Sequence, residues 1–141
     1  MLLTTQKNPP VTRHEPDLIP SDAALVMSAL EAAKHPLRNR REARRYAYRV
    51  PAKLRLFSDP PGALSSVLYT REVNQRSLGF VSPHRLPLGH GGVLELRSPT
   101  GEPMSIHCTL LRCREAAPGW FEGSVYFNRA QLEFEIDYCG N

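Results

Sequence analysis

The stretch GGVLELRSPTGEPMSIHCTLLRCREAAPGWFEGSVYF, residues 91–127, decides the fold of this chain. It contains three short apolar-rich runs, and a turn-forming group stands between each run and the next: Ser98-Pro99-Thr100-Gly101 and Ala117-Pro118-Gly119. Proline and glycine favour the backbone angles of tight turns, and short apolar runs between such turns are typical of antiparallel strands. We therefore predict strands over residues 92–97, 104–113 and 120–127.

The same pattern continues towards the N-terminus. Three further runs lie at residues 50–57, 65–73 and 78–81, and the turn Asp59-Pro60-Pro61-Gly62 separates the first two. Six short strands at roughly ten-residue spacing predict a mainly β domain, either a small antiparallel barrel or a sandwich. Thirteen prolines and nine glycines argue against a helical bundle, and 141 residues suffice for one domain.

The two ends of the chain differ from this pattern. Residues 1–20 contain four prolines and no apolar periodicity, so we predict a flexible tail. A helix is predicted over 21–35, with Ser21 and Asp22 as N-caps and its end set by Pro36. Its apolar residues nearly encircle it, so it should dock on its own domain, residues 36–141, or on a second copy. Residues 131–137 alternate like a strand, but Asn128 and Gln131 could instead cap a short C-terminal helix.

Composition and motifs exclude several classes of function. No run approaches the roughly 18 apolar residues of a membrane span, and no secretory signal is visible. Three cysteines do not make a disulfide framework, so a cytoplasmic protein is expected. Cys108 and Cys113 are five residues apart in one predicted strand and should face opposite sides unless a bulge intervenes, as buried small side chains. No catalytic motif, metal-ligand spacing or cofactor motif is found, and we do not expect an enzyme.

Positive charge is concentrated in residues 38–55. This segment holds eight basic residues, seven of them arginine, against the single acidic residue Glu42. The rest of the chain has ten basic and thirteen acidic residues, a balance of −3, although the whole chain carries +4. A guanidinium can donate two parallel hydrogen bonds to a phosphate or a guanine edge, whereas an ammonium is a point charge. A compact anionic ligand fits this distribution, because the acidic remainder would repel a long polyanion.

Two short motifs occupy informative positions. Arg40-Arg41-Glu42-Ala43-Arg44-Arg45 precedes the predicted strand 50–57, and Asn74-Gln75-Arg76-Ser77-Leu78-Gly79 enters the strand 78–81. This order resembles the PilZ domain family, bacterial receptors for cyclic diguanylate (cyclic di-GMP). The family signatures are Arg-x-x-x-Arg before the first strand and Asp/Asn-x-Ser-x-x-Gly on a later strand. The resemblance runs from about residue 38 to 127 and implies a six-stranded, PilZ-like β-barrel.

The resemblance implies a ligand-binding role for the first motif. Arg41 and Arg45 match the two signature arginines, and Arg40 with Arg44 is a second match shifted by one residue. The chemistry is suitable, because an arginine fork matches O6 and N7 of guanine, and a second arginine can stack on a purine or bind a phosphate. By resemblance, this segment is a mobile arm that closes over the nucleotide.

The second motif matches at both ends and departs in the middle. Asn74 and Gly79 take the family positions; Asn74 offers a donor and an acceptor to a guanine edge, and Gly79 permits close approach. Arg76 stands where the family has serine, and it either adds a guanidinium to the ligand or blocks the site. Ser77 follows one place later, and a one-residue shift reverses the face of a strand, which argues against its replacing that serine.

The resulting expectation is a non-catalytic receptor that binds cyclic di-GMP and relays the signal to a protein partner. No cofactor other than this ligand is implied. Two other functions stay open. One is a degenerate PilZ adaptor that contacts proteins without binding nucleotide, and the other is a small nucleic-acid-binding module that uses the 38–55 segment. The acidic remainder of the chain and the expected absence of exposed aromatic side chains interleaved with the arginines count against nucleic acid.

Overall fold

The computed structural model of the chain describes residues 19–33 and 45–134. All six predicted strands are present, and most of their ends lie within one residue of the predicted positions. The second strand of the opening stretch is longer than predicted and continues to Ala117. The elements in chain order are α1 (Ser21–Ala32), β1 (Tyr46–Ala47), β2 (Pro51–Leu56), β3 (Ser66–Val73), β4 (Ser77–Ser82), β5 (Gly91–Arg97), β6 (Pro103–Ala117), β7 (Trp120–Phe127) and a 3-10 helix (Leu132–Phe134).

Six strands close into an antiparallel barrel. They pair in the order β3, β2, β5, β6, β7 and β4, and β4 pairs with β3 to complete the ring. The prediction of a mainly β, six-stranded barrel is confirmed. The seventh strand, β1, lies beyond β2 on the same edge of β3: Tyr46 is opposite Val73, whereas Pro51 is opposite Tyr69. β1 therefore carries the preceding residue, Arg45, towards the end of the barrel where β3 turns into β4.

Alternating burial along the strands builds the core. Successive side chains of a strand point to opposite faces, and in β2 the buried Leu54 lies between the exposed Lys53 and Arg55. Inward-facing side chains of all six barrel strands form one apolar cluster. Phe127 is fully buried in this cluster, and Trp120 packs against a second cluster that contains the buried residues of α1.

The described chain ends in a 3-10 helix and not in a strand. Phe134 is buried there, with its ring edge-on to Tyr48 at 5.4 Å between centroids and stacked on Phe127 at 6.0 Å. The strand interpretation of residues 131–137 is therefore wrong for Leu132–Phe134, because burying Phe134 at the barrel mouth favours a tight turn. Residues 135–137 lie outside the described residues.

A bulge in β6 corrects the expectation for the two cysteines. The pairing of β6 with β7 shifts register between Leu110 and Arg112, so alternation along β6 is reversed after the bulge. As a result, Cys108 and Cys113 both point into the core and not to opposite faces. Both are free and buried, as predicted, and the Cys113 Sγ accepts a hydrogen bond from the Leu86 backbone N–H at 3.3 Å.

Helix α1 packs against the outside of its own barrel. Ala23, Val26 and Met27 are buried against a patch that includes Val81 and Trp120. The opposite side of the helix is exposed.

None of the described helices is long and apolar enough to cross a membrane.

The helix boundaries differ from the predicted ones. Pro20 occupies the N-cap position, its carbonyl accepts the Ala24 N–H, and no side chain caps the helix. Ser21 and Asp22 are therefore not N-caps as predicted but lie in the first turn, where the acidic Asp22 is favourable. The helix ends at Ala32, before the predicted end at 35. Residues 1–18 of the predicted tail lie outside the described residues.

Candidate functional site

The two motifs meet through Arg45. This residue lies immediately before β1, and its side chain is only 5% exposed. Its Nε donates a hydrogen bond to the Ser77 Oγ at 3.0 Å, across 32 residues of sequence. The continuation of β1 along β3 places Arg45 beside the turn from which β4 begins. The structure therefore brings one predicted arginine together with the second predicted motif.

Gly79 provides the space that the Arg45 guanidinium occupies. A Cβ built on Gly79 would lie 3.0 Å from the Arg45 Nη1 and 3.3 Å from the Glu72 Cγ. Gly79 pairs with Glu72 in the β3–β4 ladder, so the missing side chain leaves space on the face of the sheet beside the Glu72 side chain. The close approach expected of this glycine is thus present, and it is made by a side chain of the protein itself.

Asn74 organises the turn between β3 and β4. Its Oδ1 accepts the backbone N–H groups of Arg76 at 2.8 Å and Ser77 at 2.9 Å, and its own N–H donates to the Ser77 carbonyl at 2.9 Å. Asparagine commonly stabilises turns by such hydrogen bonds. The residue is buried, and part of its hydrogen-bonding capacity holds the turn that presents Ser77.

Ser77, and not Arg76, faces the Arg45 guanidinium. Ser77 and Gly79 are two apart in β4 and share a face, so both lie beside the Arg45 guanidinium. Whether Ser77 replaces the family serine in ligand binding stays a prediction. The Ser77 Oγ also contacts the Asn74 Oδ1 at 3.3 Å. Arg76 is exposed, and its guanidinium carbon lies 5.5 Å from the centre of the Tyr126 ring. Arg76 therefore occupies a neighbouring surface and does not fill the space around Gly79.

Glu72 is a site residue that the sequence analysis did not identify. Its Oε2 lies 3.6 Å from the Arg45 Nη1, and its side chain is 8% exposed. Glu72 therefore places a negative charge beside the Arg45 guanidinium. The available clue was an acidic residue two positions before Asn74 in a predicted strand, but a bulge between Thr70 and Glu72 decides where this side chain points.

The remaining predicted site residues are Arg40, Arg41 and Arg44, and all three lie outside the described residues. Two cavities of the barrel surface are elsewhere. One, of about 520 Å³, runs along β2, β5 and β6, and the other, of about 360 Å³, lies beside His107 and Asn128. Within residues 19–33 and 45–134, no three His, Cys, Asp or Glu side chains are grouped so that they could hold a metal ion.

Comparison of the chain with protein-family models, with curated proteins and with solved structures finds no match. Function must therefore be argued from the residues and the geometry.

Proposed function

We propose that this protein is a non-catalytic receptor of PilZ type that binds cyclic di-GMP and passes the signal to a protein partner. One observation carries the proposal. Two motifs that are far apart in sequence, and that the resemblance pairs, converge at one place: Arg45 bonds Ser77 at 3.0 Å and lies over Gly79. Asn74 holds the turn beside them.

The chemistry of this arrangement suits a compact phosphodiester. The Arg45 guanidinium has five N–H donors in a fork, and its Nε is already oriented by Ser77. An oriented fork loses less conformational entropy when it binds a phosphate or the O6/N7 edge of guanine. Arg41, the other arginine of the first signature, is the proposed second cation for the ligand.

The test is calorimetric titration of the full chain with cyclic di-GMP. Loss of hydrogen bonds from a charged group costs about 1.5–3 kcal/mol, so Arg45→Ala should weaken binding about 10- to 100-fold. Arg41→Ala should weaken it similarly.

Arg55→Ala is the matched control. Arg55 belongs to the same basic segment but lies exposed near the far end of β2, so its loss should leave affinity unchanged. Wild-type affinity in Arg45→Ala, with the fold intact by circular dichroism, would refute the proposal.

The Glu72 carboxylate favours a second candidate, an adaptor that binds a protein without any nucleotide. Because Glu72 already faces Arg45, an anionic ligand has to compete with an internal ion pair. Glu72→Gln separates the two functions. In a receptor, removing the competing carboxylate should raise cyclic di-GMP affinity at least about threefold, because the buried Glu72 charge no longer competes for the Arg45 guanidinium. In an adaptor, neither the wild type nor Glu72→Gln gives heat with the nucleotide.

A further inference from the structure

Three arginines converge on one carboxylate on the outer face of the barrel. The Glu122 side chain in β7 is 2% exposed. Its Oε1 accepts a hydrogen bond from the Arg112 Nη2 at 2.8 Å, and its Oε2 accepts one from the Arg114 Nε at 2.5 Å. The Arg71 Nη1 from β3 lies 3.9 Å from the Oε1. We name these four residues the Glu122 cluster.

The Glu122 cluster has more positive charge than its carboxylate can balance. Three guanidiniums and one carboxylate leave a local surplus of +2. Like charges held around one carboxylate repel one another, and partial burial increases the repulsion because the dielectric constant is lower. The Glu122 cluster therefore favours the binding of an anion.

Hydrogen-bond donors of the cluster are also unused. The Arg112 Nε is buried and has no partner within the described residues. The Arg71 side chain is only 10% exposed, and its Nη1 stays beyond hydrogen-bond distance of Glu122. Burying a charged donor without a partner is costly, so an acceptor from outside the chain would stabilise the Arg112 guanidinium. Arg112 and Arg114 remain reachable, at 43% and 68% exposure.

We propose that Arg71, Arg112 and Arg114, held in place by Glu122, form a phosphate-binding site. A phosphate group carries negative charge and several acceptor oxygens, which match a surplus of +2 and an array of guanidinium donors. Glu122 acts as a positioning residue, because its hydrogen bonds fix the directions of the Arg112 and Arg114 forks before any ligand arrives.

The site lies close to the nucleotide site proposed above. Gly79 pairs with Ser124 in β7, and Ser124 pairs with Arg112 in β6. Two strand spacings separate Gly79 from Arg112, which corresponds to about 10 Å. The bound phosphate could therefore belong to a cyclic dinucleotide or to a separate phosphate compound. The first of these two possibilities depends on the proposed receptor function, and the second does not.

The test follows the arginine Nε–H signals of the ¹⁵N-labelled full chain by NMR. The probes are inorganic phosphate and pyrophosphate at constant ionic strength, and the expected result is a saturable shift of the Arg112 and Arg114 signals. The double variant Arg112→Gln/Arg114→Gln should weaken binding about tenfold or more, and the control Arg55→Gln should not. Arg114→Gln alone is a milder variant should the double variant fail to fold.

Two results would overturn the proposal: Arg112 and Arg114 signals that do not move with either probe, or unchanged affinity in the folded variants. Either result would mean that the Glu122 cluster has only a structural role, in which its ion pairs link β3, β6 and β7.

Cyclic di-GMP distinguishes the sources of the phosphate. Weaker nucleotide binding in the double variant assigns the site to that ligand, and unchanged nucleotide binding with lost pyrophosphate binding assigns it to a separate phosphate compound. If pyrophosphate binds at Arg112 but the protein does not bind cyclic di-GMP, the proposed receptor function is wrong and the phosphate-binding site is still supported.

Discussion

Gly79 leaves space for the Arg45 guanidinium to lie directly over β4, and a substitution at Gly79 should therefore affect function. In Gly79→Ala the new methyl group would lie 3.0 Å from the Arg45 Nη1 and 3.3 Å from the Glu72 Cγ. Because these contacts are to flexible side chains, we expect Arg45 to shift and stability to fall by less than about 1 kcal/mol. Cyclic di-GMP affinity should fall at least about tenfold.

Calorimetry and thermal denaturation together check this prediction. The matched control is Gly91→Ala in β5, where the methyl group would meet the nearest atom, in the Phe57 ring, at an ordinary 3.4 Å. Unchanged affinity in Gly79→Ala would show that the space over this glycine has no part in binding.

The residues of this site illustrate what motif spacing predicts and what it leaves open. Arg45, Asn74 and Gly79 were predicted from the order of two motifs, and the structure brings them together. Glu72 and the orientation of Ser77 were not predicted, because both depend on how β3 and β4 pair. The spacing of residues in the sequence does not specify how β3 and β4 are aligned when a bulge shifts their register.

Cys108 should make stability depend on pH in the alkaline range. Burial raises the pKa of its thiol from 9.0 to about 11. The unfolded chain therefore ionises this thiol at lower pH than the folded protein, and stability falls as pH rises from about 9 to 11. Between pH 8 and 10 the loss from this group should be on the order of 1 kcal/mol.

Urea denaturation of the wild type and Cys108→Ala at both pH values measures this effect. The variant should be less stable at pH 8, because it leaves a small cavity, and the difference should shrink at pH 10. Parallel pH profiles for the two proteins would contradict the prediction.

At the scale of elements, the β6–β7 hairpin depends on Gly123. A Cβ there would lie 2.1 Å from the Arg112 carbonyl oxygen and 2.7 Å from the Phe80 Cζ. Neither the backbone nor a packed ring can move away freely, so Gly123→Ala should destabilise the protein by about 3 kcal/mol or more. Thermal denaturation followed by circular dichroism measures this loss, with Gly91→Ala as the reference. A loss below about 1 kcal/mol would mean that the hairpin adjusts easily.

The strands themselves were predictable because proline and glycine mark their ends. The turn at residues 117–119 was predicted from its sequence, and Gly119 has φ +80°, a conformation that favours glycine. The bulge after Leu110 was not predictable. It inserts one residue into β6 with no proline or glycine next to it in the sequence, and it alone reverses the face on which Cys113 lies.

At the scale of the whole molecule, the barrel should keep its fold when α1 is released. Met27 is 1% exposed beneath the helix, and Met27→Asp would bury an unpaired charge, so α1 should leave the barrel. Trp120 belongs to the patch under α1 and is the single tryptophan of the chain. Its fluorescence should shift to longer wavelength, while the β-sheet circular dichroism signal persists.

Leu25→Asp is the matched control for this experiment. Leu25 lies on the same helix but is 68% exposed, so its replacement should leave the Trp120 spectrum unchanged. Loss of the β-sheet signal in Met27→Asp would show that helix and barrel unfold as one unit.

The strand pattern alone is compatible with a barrel or a sandwich, and the prediction of a closed barrel came from the resemblance to the PilZ family. The pairing of β3 with β4 at one side and of β4 with β7 at the other decides between them. These contacts join distant parts of the chain, and alternation within a strand does not specify which strand lies beside it.

The length of β6 has a consequence for how molecules meet one another. β6 pairs with β5 only as far as Thr109, and within the described residues its last part, from Arg112 to Ala117, pairs with β7 alone. An unpaired flank of this kind is a template onto which another chain can add an intermolecular sheet. Here the flank begins at a bulge and carries Arg112 and Arg114, and like charges of this kind disfavour the pairing of two such flanks.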